Sequence, residues 1–343
     1  MTERNLSPPI ILLLAGASLV IILAGIRAAA PVLGPLLLAV FIAMLIIPIF
    51  RWLIGKGLPT PLALGVLIAG LAIAFLLLST FVTVAFGQLM NALPAYQEQF
   101  RVQFAVIEEF LAEYGIDIGS IRPLDLIDRG TILHYLTNLV VSLTSAAFYL
   151  ILVVIATGFL LLEAPRFSTG IERWLGNNSP MLGRLRRSGS LLVEYMIVRT
   201  KVNLVTGSGA AAVLYLLGVD FALFWGLVIF VLAYIPYLGI TIGIIPVVIL
   251  TWLTVGPAAV AIVLLVVTVV NTFAELVLFP HWAGHGLNLS PFIVLFSVFF
   301  WGFILGAVGV FLAVPLTLAV KLLLENWNET YWLAAMMSSD KEQ

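Results

Sequence analysis

The residue with the clearest chemical potential in this sequence is Glu275, one of two formal charges between Val202 and Val320, the other being Asp220. A charge at the centre of a membrane costs about 2.5–3.5 kcal/mol on insertion scales, so it is rarely kept without a use. Asn271 lies one helical turn earlier, which puts an amide and a carboxyl on one face. That pairing suits a hydroxylated solute, a proton or a small cation. The structural alternative is a protonated carboxyl bonded to a neighbouring helix. Thr206, Tyr234, Tyr237 and Thr241 are the other candidates to line such a site. Against that role, a membrane tyrosine is often an interface anchor, and a threonine hydroxyl often satisfies its own backbone.

Other chemistries find no support. His281 and His285 share a metal-like i,i+4 spacing, but Pro280, Gly284 and Gly286 work against a ligand-bearing helix, so no metal site or cofactor is expected. His134 stands apart from them. In Thr206-Gly207-Ser208-Gly209 the serine has no nearby base, and small residues at a helix–helix contact explain the run better. Neither G-x-x-x-x-G-K-[ST] nor H-E-x-x-H occurs, and cysteine is absent. The net charge of −1 gives no reason to expect a nucleic-acid partner. The residues predict neither an enzyme nor an ATP-driven motor.

The elements that must position Glu275 follow from composition. Of 343 residues, 62% are hydrophobic and 10% charged, with a mean hydropathy of +1.18. A soluble domain carries about 25% charged residues, so a water-soluble enzyme is excluded. Crossing a hydrocarbon core takes about 20 apolar residues. Full spans are expected at 8–30, 32–50, 61–90, 140–162, 202–219 and 257–279. Ala28-Ala29-Ala30 resembles a signal-peptide cleavage site, but the run before it is long for one and more spans follow. Two further blocks are too long for one span and short for two. Breaks are expected at Pro236, Gly239 and Pro246 in residues 221–253, and at Gly302, Gly306, Gly309 and Pro315 in residues 291–318. The expected fold class is all-α: a polytopic membrane protein with six full transmembrane helices and two broken or re-entrant hairpins, eight apolar segments in all. The hairpins are expected to enter from opposite faces, with tips approaching near the middle of the membrane.

Lys and Arg gather in the loops after even-numbered spans, which places both termini in the cytoplasm. After span three, Phe100, Phe104, Ile107 and Leu111 recur at helical spacing among Gln and Glu, predicting an amphipathic helix over 94–114 that either lies on the outer membrane face or serves as a cap over a pathway or an oligomer contact. After span four, Arg166, Arg173, Arg184, Arg186, Arg187, Arg199 and Lys201 interleave with apolar residues, predicting contact with anionic headgroups in preference to direct contact with a substrate. The chain then divides into a three-span unit (1–90), an extracytoplasmic segment (91–139), a fourth span (140–163), a cytoplasmic basic segment (164–201), a transport core (202–325) and a tail (326–343).

The motifs also carry a resemblance. Tyr234-Ile-Pro-Tyr-Leu-Gly239 followed by Pro246, then Pro280, Gly284, Leu287 and Pro291, then Trp301-Gly302, Gly306, Gly309 and Ala313-Val-Pro315 resemble the autoinducer-2 exporter family of bacterial membrane proteins. Gly25-Ile26-Arg27, Leu161-Leu162-Glu163 and Val314-Pro315-Leu316-Thr317 are similar to its branch that transports the quorum-sensing signal. The resemblance implies an inner-membrane homo-oligomer, with a pentamer expected, that exports a small hydroxylated furanone-type solute. Some relatives are described as sodium/proton antiporters, which leaves a sodium(lithium)/proton antiporter as the second reading. The third is a non-transporting membrane scaffold. The chain departs from the family at Ala274-Glu275-Leu276, where an acid and two Asn are usual, and at His281, where a basic residue is usual.

Overall fold

A computed structural model describes residues 7–114, 129–176, 179–283 and 289–339. These residues form thirteen α-helices and one π segment, with no strand among them. In order they are α1 (Pro8–Ala28), α2 (Ala30–Gly55), α3 (Thr60–Glu113), α4 (Arg129–Leu175), α5 (Pro180–Leu216), α6 (Ala222–Leu232), α7 (Gly239–Thr254) and α8 (Pro257–Phe273). The π segment Ala274–Leu278 follows, then α9 (Phe279–Ala283), α10 (Pro291–Leu305), α11 (Ala307–Phe311), α12 (Ala313–Leu324) and α13 (Tyr331–Met336). Proline opens α1, α8 and α10, where its missing N–H would have had no partner in any case.

Among the described residues, four helical stretches, against the six full spans expected, are long and apolar enough to cross a membrane: Ala30–Gly55, Thr60–Ala92, Ile151–Leu175 and Pro257–Ala283. Shorter apolar helices surround them in sequence, among them α6, α7, α10 and α12. The amphipathic segments depart from expectation. They are continuations of apolar helices rather than separate interfacial elements. The 94–114 segment is the far part of α3, whose 54 residues span about 80 Å. Pro94 is absorbed inside that helix, and no glycine stands at the junction to break it. The basic stretch is likewise split between the end of α4 and the start of α5, joined across Gly176 at φ +82°. The expected polar connection 116–129 falls almost wholly outside the described residues.

The chain forms two compact units from interleaved segments. One comprises residues 1–48, 156–196 and 286–343; the other comprises 49–155 and 197–285.

In the second unit α6 and α7 pack as a hairpin, and α7 packs on α3 and α8. Its core includes Leu214, Ile229, Val247, Val263 and Val267, all at most 1% exposed. Small residues let its helices approach closely. A Cβ at Gly207 would lie 2.7 Å from the Gly226 carbonyl oxygen, and one at Gly209 would lie 2.7 Å from Val270. Beyond the apolar part of α3, the Tyr96 hydroxyl donates to Asp220 at 2.7 Å and Phe100 meets Trp252 edge-on. Burial, then the Asp220 bond and charge, push the Tyr96 hydroxyl above the usual tyrosine range, so it remains a donor.

In the first unit α10 packs on α1, α11 and α12. The chain reverses at Gly306, whose φ of +66° and ψ of −145° suit glycine alone. Gly302 and Gly309 are not breaks. Each sits inside a helix where its missing Cβ makes room, for Val310 at 2.8 Å and for the Trp301 carbonyl oxygen at 1.9 Å. Pro315 lies in the first turn of α12, and Trp301 donates to Thr317 across the hairpin.

Candidate solute-binding site

The site assembles at the turn between α6 and α7. Tyr237 in that turn adopts φ +62°, a left-handed conformation costly for a residue with a Cβ. Gly239 follows because the chain doubles back: a Cβ there would lie 1.8 Å from the Leu232 carbonyl oxygen. Pro236 stands within the turn, whereas Pro246, expected to mark a break, lies inside α7.

A reversal of this kind exposes carbonyl and N–H groups that a continuous helix would pair. One polar face of α5 takes them. The Arg199 guanidinium donates from Nη2 to the Ala233 carbonyl. The Asn203 amide, oriented by its neighbours, accepts the Tyr234 N–H at 3.2 Å and donates to the Arg199 carbonyl at 3.3 Å. The Tyr234 hydroxyl shares a 2.6 Å hydrogen bond with Thr200. From its other side Arg199 donates through Nη1 to Glu275 Oε1 at 2.6 Å, an ion pair within one compact unit.

The pair is asymmetric. The Arg199 side chain is 9% exposed and that of Glu275 33%. Arg199 is thus the buried half of the pair and Glu275 the partly accessible half. Glu275 lies on the π segment, a widened helical turn of a kind frequent at functional sites. Asn271, one turn earlier, presents a buried Oδ1 with no hydrogen-bond partner among the described residues.

The structure therefore brings Glu275 and Tyr234 together through Arg199 and Thr200. Thr206 is 1% exposed on α5 and bonds its own helix at the Val202 carbonyl, 3.3 Å away. Tyr237 is exposed, and Thr241 returns its hydroxyl to the Tyr237 carbonyl. Arg199, which the sequence reading groups with the basic stretch, joins this polar cluster; the signal in the sequence is that Arg199, Asn203 and Thr206 are spaced i, i+4, i+7, a polar stripe entering an apolar helix.

Along α5, Arg199 lies about 25 Å from Leu216. In the other unit, Phe303 near the Gly306 reversal lies under the Arg27 guanidinium at 4.1 Å, at the C-terminal end of α1. Among the described residues no group of three or more His, Cys, Asp or Glu is placed to hold a metal; His281 lies on α9 and His285 outside them.

The chain is similar in sequence to known proteins. Residues 17–329 match the AI-2E family transporter. The AI-2 transport protein TqsA of Escherichia coli K12 is 32% identical over 320 residues, 93% of either chain. The "Putative transport protein YhhT" of the same strain is 31% identical over 319 residues, 93% of this chain and 90% of its own. A "Putative transport protein" of Haemophilus influenzae is 27% identical over 334 residues, 95% of either chain. The buried ion pair and the interrupted hairpins are thus parts of a transporter and not of an enzyme, and the chain belongs to the AI-2E family.

Proposed function

We propose that the chain is a secondary transporter that exports autoinducer-2 or a similar small polar signalling solute, by alternating access and without ATP. The observation that carries this reading is the Arg199–Glu275 pair at the turn of an interrupted hairpin. Transporters of several folds bind cargo where a broken helix frees backbone groups, and polar side chains complete the site. Glu275 and Asn271 would hydrogen-bond the cargo, with Tyr234 beside them. The kind of solute is suggested by the similarity to a protein named for AI-2 transport. Because the Glu275 charge is already matched by Arg199, the site has no need of a cation, which favours the solute over sodium(lithium)/proton exchange.

The protein in this reading lies in the bacterial cytoplasmic membrane as a homo-oligomer, with both termini inside. Six full spans and two hairpins cross or enter it, and the stretch 202–325 forms the transport core. The basic stretch, without Arg199, meets anionic lipid headgroups through Arg166, Arg173 and Arg187. Reconstitution tests the function. Proteoliposomes should show saturable flux of labelled autoinducer-2 without ATP, and sodium or lithium should leave an imposed pH gradient intact. Collapse of the gradient with no solute flux would establish the antiporter instead. Absence of both fluxes would leave the scaffold reading.

A further inference from the structure

We propose that α13 is a lipid-interface anchor: its aromatic and thioether side chains lie among the headgroups and upper acyl chains at one bilayer surface and hold the open end of the α10–α12 hairpin there. The inference is independent of the cargo and needs only that the chain spans a membrane.

The sequence reading treats residues 326–343 as a tail, yet the start of that stretch is firmly held. The Asn326 amide donates to the Leu322 carbonyl at 3.0 Å, and the Arg184 guanidinium donates to the Asn326 carbonyl at 2.9 Å. The Thr330 hydroxyl donates to the Leu324 carbonyl at 2.8 Å, which fastens the start of α13 to the end of α12. The Ser290 N–H donates to the Met337 carbonyl at 2.9 Å, which fastens the other end of α13 to the start of α10. α13 therefore bridges the two open ends of the hairpin.

What this bridge turns outward is apolar. Within α13 only Ala334 is buried, whereas Tyr331, Trp332, Leu333 and Met336 are exposed, as is Trp327 just before it. Three of these five are Trp or Tyr, whose rings concentrate where hydrocarbon meets water. Asn328 and Glu329 are exposed between them and give the patch a polar edge. Val320 and Leu323 of the apolar helix α12 are exposed too, so the patch continues the outer surface of the hairpin. A second copy of the chain is the alternative cover. The five side chains offer on the order of 500 Å², less than the ~800 Å² that each partner contributes to a stable protein contact. A leaflet sets no such minimum, because an interfacial segment binds in proportion to the apolar area it buries.

The absence of cysteine allows the test in the full-length protein. Trp332→Cys, Met336→Cys and, as a wet reference, Asn328→Cys each carry one nitroxide label in proteoliposomes of phosphatidylcholine and phosphatidylglycerol. Electron paramagnetic resonance reads collisions with oxygen, which concentrates in lipid, and with a water-soluble nickel chelate. The oxygen-to-nickel collision ratio should be severalfold higher at residues 332 and 336 than at 328. A ratio no higher than the reference puts α13 in water and overturns the proposal. Labels shielded from both reagents and broadened by one another put a second copy on the patch and overturn it too. Trp327→Phe/Trp332→Phe keeps ring bulk and needs no label. The fluorescence this variant loses relative to wild type comes from those two rings, and phospholipid brominated near the headgroup should quench it. If that component is not quenched by the brominated lipid, the anchor is overturned.

Discussion

Arg199 and Glu275 stabilise the protein only as a pair. Removing one member leaves a buried or half-buried charge without its counter-ion, which costs about 3–5 kcal/mol in comparable buried pairs. Glu275→Ala should therefore lower the melting temperature sharply, because Arg199 is the more buried partner. Arg199→Gln should cost less, since Glu275 keeps partial access to solvent. The double substitution to glutamine should recover most of the loss, and a double-mutant cycle on thermal stability measures that coupling. Equal losses from the two single variants would argue against the asymmetry on which the site depends. Glu275 was legible in the sequence because an acid in an apolar run is conspicuous. Arg199 was not, because counting basic residues by loop ignores the helical face on which each falls. Tyr237 and Thr241 have the right chemistry for a lining role, but their placement depends on the turn's backbone, which residue type does not encode.

The elements are governed by where helices are forced to break. Gly239 and Gly309 each lie within 2 Å of a carbonyl oxygen at the position of a missing Cβ, and backbone cannot move aside as a side chain can. Gly239→Ala and Gly309→Ala should each displace a hairpin arm and reduce flux at least about tenfold, a barrier change of roughly 1.4 kcal/mol. Gly302→Ala meets only the Val310 methyl group and should lose far less. Initial transport rates of the three variants, normalised to protein in the vesicle, decide the order. Comparable loss in all three would mean that the turns do not set the geometry. Both hairpins were foreshadowed by apolar blocks of awkward length interrupted by Pro and Gly. The side chain that catches a freed carbonyl at the α6–α7 turn was not, because length arithmetic does not encode it. The continuity of α3 through Pro94 was missed for a related reason: a proline inside a long helix is tolerated when its surroundings satisfy the freed group.

At the scale of the whole molecule, sequence order is a poor guide to neighbourhood. Residues 1–48, 156–196 and 286–343 make one compact unit although long stretches separate them. Membrane helices pack laterally on whichever small or apolar face fits, and an all-round apolar helix does not advertise its partner. The all-helical membrane class needed only composition, because so few charges cannot cover a soluble surface. Orientation is the remaining expectation, and the absence of cysteine makes it easy to test. Val102→Cys on exposed α3 should react with an impermeant maleimide added to intact cells, whereas Arg187→Cys on α5 should react only after permeabilisation. The opposite pattern would invert the topology.

Cargo movement in proteoliposomes, compared between wild type and the neutral Arg199→Gln/Glu275→Gln protein at matched melting temperature, bears most directly on the claim that the pair forms the transport site. The account predicts saturable, ATP-independent flux of autoinducer-2 in wild type and at least about a tenfold loss in the double variant. Undiminished flux through the neutral protein would contradict it.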